Sequence, residues 1–281
     1  MRSRISRFLA VATAVAAAAV APTTATAEPA PAQAAQAVYG LAGGGKLLSM
    51  FRTDSPDRLD WVRTVNGLVG DSFLIGFDFR VQDGKLYGVG NRGGVYTIGI
   101  PSATVAKVSQ LTVALHGTYF GVDFNPAANR LRVVSDTGQN LRHSIDDNAT
   151  ATDTPLTTPP ATGTTTGVTA IAYTNNDLNN DTGTTLFVIN TDTDQVAIQS
   201  PANSGQLAVT GKLAVRADTD AGFDIFSDLT NGRTTSNLAF AALGNGGIST
   251  FYGVDVLTGF AWPVGDFPLN ITDIAVALDT A

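Results

Sequence analysis

Short apolar runs of four to eight residues recur along the chain from Val38 onward, and in many of them apolar and polar side chains alternate. A period of two is typical of half-buried β-strands. Gly, Asn-Pro, Asp-Gly or Thr-Gly separates successive runs, and these residues favour turns. The pattern therefore predicts short strands joined by tight turns, an all-β fold.

One apolar segment recurs five times at a nearly constant spacing. Its copies are residues 76–79 (GFDF), 121–124 (GVDF), 170–173 (AIAY), 222–225 (GFDI) and 273–276 (DIAV), with spacings of 45, 49, 52 and 51 residues. Four strands and their turns fit such a period. The unit that begins at residue 73 is the clearest, with strands predicted at 73–80, 85–90, 94–98 and 104–111.

The two ends of the chain complement each other. The fifth copy reaches the C-terminus with no further strands, and three unassigned strands precede the first copy, at residues 37–42, 46–51 and 58–65. A ring of four-stranded sheets hides its edges if both termini build the last sheet. We therefore predict one domain over residues 38–281, a five-bladed β-propeller in which residues 272–278 pair with 38–42. A β-sandwich is the alternative, but it predicts neither the period nor the complementary ends.

The N-terminus has the features of a signal peptide. Arg2, Arg4 and Arg7 precede an uncharged Ala/Val-rich stretch, residues 8–21, and Ala25-Thr26-Ala27 matches a cleavage site. We expect a signal peptide over residues 1–27, a flexible lead-in over 28–37, and a secreted, extracellular protein; an uncleaved anchor is the alternative. No later stretch reaches the roughly 18 apolar residues of a membrane span.

The composition limits the classes of partner that the protein can bind. The three arginines of the signal peptide belong to the 17 basic residues, so the mature chain has 14 basic and 24 acidic residues and a net charge of −10. Such a chain repels nucleic acid and anionic membranes. Without cysteine it has no disulfides. We expect a monomer with no cofactor, and an extracellular glycan or protein as its partner.

Three aspartates occupy one position of the repeated segment: Asp78, Asp123 and Asp224. They alternate with aromatic and aliphatic neighbours, so they face the opposite side of the strand. One interpretation is structural, because a buried carboxylate must accept hydrogen bonds, here from the next blade's turn. The alternative is glycoside hydrolysis, which needs two carboxyl groups at a fixed separation.

Three other groups of residues are candidates for binding. Asp177, Asn179 and Asp181 alternate along an Asn/Asp-rich loop, the pattern of a calcium site, although such turns also form without metal. Asp136, Gln139 and Asn140 lie in a polar hairpin, with Gly138 predicted at positive φ, that could bind a ligand or be only a turn. His116 and His143 lie in different units and are interpreted as surface residues.

Two segments are predicted as loops, and one motif is rejected. Residues 149–167 are rich in Thr and Pro, and residues 230–236 (TNGRTTS) interrupt the fourth unit. Gly88–Gly93 has the GxGxxG spelling of a dinucleotide site, but a strand follows it where that motif needs a helix.

Residues 121–142, GVDFNPAANRLRVVSDTGQNLR, with AIAYTNN at 170–176 and DIAVAL at 273–278, resemble a family of secreted bacterial proteins known as domain of unknown function 4394. The resemblance covers nearly the whole mature chain and implies an exported, propeller-like domain. It implies no activity. Our first hypothesis is thus a secreted, non-enzymatic binding module with no catalytic residues. The alternative is a glycoside hydrolase that uses Asp78, Asp123 and Asp224.

Overall fold

The structure is a computed structural model that describes residues 34–280. From Ala35 onward the chain forms one compact unit. The predicted signal peptide, residues 1–27, and most of the predicted lead-in lie outside the described residues. Within the described part there is no helix long and apolar enough to cross a membrane.

Strands make up nearly all the regular structure of the described chain. In chain order they are β1 Ala37–Ala42, β2 Leu47–Arg52, β3 Trp61–Thr64, β4 Leu74–Arg80, β5 Lys85–Gly90, β6 Gly94–Ile98, β7 Val105–Gln110, β8 Phe120–Asn125, β9 Arg130–Ser135, β10 Asn140–Ser144, β11 Ala149–Thr152, β12 Val168–Tyr173, β13 Leu186–Asn190, β14 Gln195–Gln199, β15 Leu207–Lys212, β16 Ala221–Thr230, β17 Arg233–Asn245, β18 Ile248–Val254, β19 Ala261–Asp266 and β20 Ile271–Val276. A short 3-10 helix, Ala202–Ser204, lies between β14 and β15.

The strands form five four-stranded antiparallel sheets. Blade 1 contains β4 to β7, blade 2 β8 to β11, blade 3 β12 to β15 and blade 4 β16 to β19, while the closing blade has the order β20-β1-β2-β3. The first strand of each sheet contacts the first strand of the next, from β4 through β8, β12 and β16 to β20 and back to β4. These five inner strands surround the central channel, which confirms the five-bladed β-propeller.

The two ends of the domain pair as predicted. Strand β20 runs antiparallel to β1, with Val38 opposite Val276 and Gly40 opposite Ile274. Ile274 and Val276 are buried. The pairing confirms that one blade is assembled from both ends of the domain. It gives β20 a hydrogen-bonded neighbour and covers the edge of β1 that does not face β2.

The hydrophobic core is divided among the interfaces between blades. Five buried clusters are found among the described residues, one at each interface. Phe77 and Leu86 of blade 1 pack with Leu41 and Leu48 of the closing blade, for example. Because each strand alternates its side chains, every blade supplies one face to each neighbour. Stability therefore depends on the whole ring being present.

Glycine recurs in the inner strands because these strands approach one another closely. A Cβ on Gly121 would lie 2.8 Å from the backbone nitrogen of Ile171 in the next inner strand. A Cβ on Gly222 would lie 2.6 Å from Cα of Asp273. Real Cβ atoms essentially never come this close to backbone atoms, so the repeated Gly-x-Asp pattern reflects crowding around the channel.

Two segments predicted as loops are partly strand. Residues 149–152 form β11 and complete blade 2, because β10 would otherwise have no outer partner; His143 pairs with Thr150. In blade 4, β16 ends at Thr230 and β17 begins at Arg233. The two residues of the turn between them, Asn231 and Gly232, are both at positive φ. Asn-Gly is a strong two-residue hairpin signal, and it extends the strands through the predicted loop.

Candidate functional site

Three inner-strand aspartates meet in the channel. Asp78 in β4, Asp123 in β8 and Asp224 in β16 are 4%, 3% and 2% exposed. They can each present one carboxylate oxygen so that the three atoms lie within 4.8 Å of one another. The equivalent residues in the other two inner strands are Ala172 and Ala275. The repeated position therefore lines the channel, with three carboxylates and two small apolar residues.

Each of these carboxylates bonds to the backbone of the following inner strand. Asp78 Oδ2 accepts a hydrogen bond from the N–H of Phe124 at 2.9 Å, and Asp224 Oδ2 accepts one from Val276 at 2.6 Å. Asp123 accepts one from the N–H of Tyr173. The donors belong to the neighbouring inner strands and not to turns. These bonds link blade 1 to blade 2, blade 2 to blade 3, and blade 4 to the closing blade.

A fourth carboxylate, Asp273 in β20, adds a connection between the closing blade and blade 1. Its Oδ2 accepts a hydrogen bond from the N–H of Phe77 at 3.0 Å and so ties the closing blade to blade 1. Asp273 occupies the position held by Gly76 and Gly222 in other inner strands. The sequence analysis missed Asp273 because it compared the five segments only at their third position, which holds Asp78, Asp123 and Asp224. Asp273 stands at the first position of the fifth segment, so it could have been found in the same comparison.

Burial and mutual repulsion disfavour the charged forms of these groups. Burial, followed by the nearby Asp224 carboxylate, raises the pKa of Asp78 well above its usual value. Burial raises the pKa of Asp273 well above its usual value, and for Asp123 the Asp78 carboxylate adds to burial. For Asp224 burial raises the pKa to about 6, against the lowering effect of its backbone hydrogen bonds. Protonation or a bound cation would relieve this repulsion.

The carboxylate oxygens of this cluster suit a hard cation only in part. Carboxylate oxygens are ligands that Ca²⁺ prefers, and Asp123 Oδ1 is buried without a hydrogen-bond partner. Both oxygens of Asp224 already accept backbone N–H groups, from Ile225 and Val276. A cation would compete with those bonds. Protonation lowers the repulsion within the cluster and does not require the bonds between blades to break.

One mouth of the channel holds a large pocket where four of the five inner strands end. Its volume is about 480 Å³. Phe79 follows Asp78 in β4, Leu229 lies near the end of β16, and Leu278 follows β20. The ring of Tyr39 packs edge-on against Phe79, with 5.6 Å between the centroids. Leu178, which is 58% exposed, adds a further apolar wall, and Asn176 and Thr280 are polar lining residues.

The opposite mouth contains one partly buried acid. Asp220 and Thr272 line a pocket of about 250 Å³ beside Leu74 and Phe120, the first residues of β4 and β8. Burial raises the pKa of Asp220 to about 6. Every other described aspartate with a raised pKa is fully enclosed in the channel. Asp220 is thus the one described aspartate with a raised pKa that lines a pocket at a channel mouth.

The residues predicted to bind calcium hold a loop in place. Asp177 Oδ1 accepts a hydrogen bond from the N–H of Asn179, and Oδ2 accepts two from Thr234, at 2.9 and 2.6 Å. Asn179 Oδ1 accepts one from the N–H of Asp181. Burial acts to raise the pKa of Asp177, but the hydrogen bonds from Thr234, Asn179 and Thr182 together outweigh it and lower the pKa. The calcium site stays a prediction, and these bonds compete with it.

The predicted polar hairpin does not present its side chains together. Gly138 has a φ of 85°, as predicted. Asp136 accepts a hydrogen bond from the N–H of Thr118, and Gln139 bonds to the backbone of His116 and Ala114. Asn140 is buried and belongs to a separate network that includes Arg132. A ligand at this hairpin stays a prediction.

One histidine prediction is wrong. His116 is exposed, but His143 is buried and lies between Ser109 of β7 and Thr150 of β11. Its Nε2 is 2.7 Å from Ser109 Oγ. Burial lowers the pKa of His143. The pattern of polar neighbours along β10 did not show that this strand is covered by blade 1.

The geometry defines the protein as a five-bladed propeller with an acid-lined channel and a pocket at each mouth. A family model described as Domain of unknown function (DUF4394) matches residues 46–275. The chain belongs to this family, which confirms the resemblance inferred from residues 121–142. No curated protein matches the chain.

Solved structures support the fold. The chain is similar to a protein of unknown function from Bacteroides thetaiotaomicron VPI-5482, with 16% identity, a TM-score of 0.52, and coverage of 87% of this chain and 67% of that one. It is also similar to a chain in a crystal structure of a nidogen/laminin complex, with 8% identity, a TM-score of 0.50, and coverage of 88% and 100%. At these identities the likeness shows the fold alone.

Proposed function

We propose that this protein is a secreted, bacterial, non-enzymatic binding module that takes its ligand, a glycan or a protein, at the channel mouth formed by the ends of four inner strands. The observation that carries the proposal is the pocket of about 480 Å³ beside Tyr39, Phe79 and Leu178. Largely apolar pockets with a few polar groups are typical binding sites. The signal-peptide features of residues 1–27 support export.

The pocket sets requirements for the ligand. Tyr39, Phe79 and Leu278 provide apolar surface, so the ligand should insert an apolar or ring-shaped group there. Asn176 and Thr280 lie beside this surface and can bond to polar groups of the ligand. With a net charge of −7 for the whole chain, the protein disfavours polyanionic partners at this mouth.

Glycoside hydrolysis is the less favoured function. Asp78, Asp123 and Asp224 are at most 4% exposed and bond to neighbouring strands, so a sugar cannot reach them without opening the ring. Asp220 is the one partly buried acid with a raised pKa among the described residues, and hydrolysis needs two carboxyl groups. These observations favour binding without catalysis.

The experiment is a binding screen with a matched pair of variants. The purified protein is screened against a glycan array and a displayed protein library, and the best ligand is titrated into Leu178→Asp and Leu257→Asp. Leu178 is 58% exposed at the mouth and Leu257 is 71% exposed in a different pocket, so both variants should fold. We expect Leu178→Asp to lose binding and Leu257→Asp to keep it. The reverse result would place the ligand elsewhere.

A further inference from the structure

A row of arginines lies on the face of blade 2 that looks toward blade 3. Arg130 and Arg132 are two residues apart in β9, and Arg132 pairs directly with Arg142 in β10. Residues so placed share one face of a sheet. Across the interface lie Tyr173 and Asn203 of blade 3, and the two blades enclose a pocket of about 240 Å³.

Arg132 is fixed at the base of this pocket. Only 4% of its side chain is exposed. Its Nε donates to the hydroxyl of Tyr173 at 2.9 Å, Nη1 to Asp153 at 3.0 Å and Nη2 to Asn203 at 2.7 Å. A buried guanidinium that is held by several partners has little freedom left to lose when a ligand binds.

The pocket has more positive than negative charge. Asp153 is the one carboxylate that pairs with both Arg132 and Arg142. Arg130 Nη2 lies 3.7 Å from the exposed Asp147, and its Nη1 donates to the carbonyl of Asn129 at 2.8 Å. Two guanidinium groups for one buried carboxylate leave an excess positive charge, in a protein whose net charge is −7. Local charge of this sign attracts anions.

Arg142 supplies donors that the fold does not use. Its Nε donates to Asp153 at 2.8 and 3.1 Å. Its two Nη groups make none of the hydrogen bonds found among the described residues, and 40% of the side chain is exposed. A purely structural link between blades explains Arg132, but it does not explain these donors.

We propose that this pocket binds a small oxyanion, that is, a carboxylate, sulfate or phosphate group. The planar guanidinium of Arg142 matches such a group in bidentate fashion, with Arg130 and the remaining N–H of Arg132 close by. The volume of about 240 Å³ suits one small anionic group and excludes a long polymer segment. The site lies between blades 2 and 3, apart from the channel mouth, so it does not depend on the proposed function.

The test is calorimetry of the purified protein with sodium sulfate, sodium phosphate and sodium acetate at an ionic strength held constant with sodium chloride. Three variants are compared: Arg142→Gln, Arg142→Lys, and Arg92→Gln as an exposed arginine on blade 1. Losing a charge-assisted bidentate contact should weaken binding by about tenfold or more in Arg142→Gln. Arg142→Lys keeps the charge without the fork and should bind with intermediate affinity.

A second readout keeps the test independent of heat signals. The bound anion should raise the melting temperature of the wild-type protein and of Arg92→Gln, and should raise that of Arg142→Gln clearly less at the same anion concentration. The proposal is overturned if none of the three anions binds saturably to the wild type, or if Arg142→Gln binds as tightly as the wild type. The outcome among sulfate, phosphate and acetate identifies which oxyanion the site prefers.

Discussion

Replacing Asp224 by asparagine should change how stability depends on pH. In the folded protein burial raises the pKa of Asp224 to about 6, whereas its reference value is 3.8. The folded state therefore holds this proton more tightly than the unfolded state between these two values. The stability contributed by the protonated form is fully present below pH 3.8 and is lost as the pH rises through about 6.

The expected size follows from the same difference. One pKa unit corresponds to about 1.4 kcal/mol, so the wild-type free energy of unfolding should fall by about 3 kcal/mol over this range from Asp224 alone. Asparagine cannot titrate, and its carbonyl oxygen can still accept the hydrogen bond from Val276. Asp224→Asn should therefore be more stable than the wild type at pH 7.5 and nearly equal to it at pH 4.

The assay is urea unfolding at several pH values between 4 and 7.5, followed by the fluorescence of Trp61 and Trp262. Asp57→Asn, an exposed aspartate in the loop between β2 and β3, removes the same charge away from the channel. It should keep the wild-type pH profile. The reasoning is refuted if Asp224→Asn also keeps that profile. If Asp224→Asn is destabilised at neutral pH and calcium stabilises only the wild type, a bound cation and not a proton neutralises the cluster.

Four further predictions concern the ring, its crowding, a loop and export. Deleting residues 271–281 should unfold or aggregate the domain because Ile271, Ile274 and Val276 are buried, at about 1.5–3 kcal/mol each, whereas deleting 28–33 should leave the melting curve unchanged. Gly222→Ala should lower the free energy of unfolding in urea by about 1–3 kcal/mol through overpacking, and Gly163→Ala, with nothing within 4 Å, should not. If the loop binds calcium, calorimetry should show heat that Asp177→Ala abolishes; equal heat from both proteins would end that idea. Mass spectrometry of culture medium should find an N-terminus between residues 28 and 38, and full-length protein retained in the membrane would contradict export.

Much of the architecture could be predicted from the sequence because repetition carries long-range information. The period of 45–52 residues and the unpaired strands at both ends determined the number of blades and the closure. The strands predicted at 85–90 and 94–98 coincide with β5 and β6. The prediction of a loop over residues 230–236 did not use the Asn231-Gly232 hairpin signal, which extends β16 and β17 through that segment.

The sites were harder to predict because they depend on contacts between blades. Alternation showed that Asp78, Asp123 and Asp224 share a face, but only the ring shows that they are buried against one another. His143 and Arg142 look alike as polar residues of β10, yet one packs against blade 1 and the other faces blade 3. The pocket beside Tyr39 joins residues from four blades, which no short segment could reveal.

The most direct test of the central claim is a long incubation of the protein with the best ligand from the binding screen, followed by mass spectrometry of that ligand. A non-enzymatic module that binds at the channel mouth should return the ligand intact, bound one to one by the wild type and not by Leu178→Asp. Cleavage of the ligand by the wild type that is lost in Asp220→Asn or Asp78→Asn would contradict the claim and establish the protein as a hydrolase.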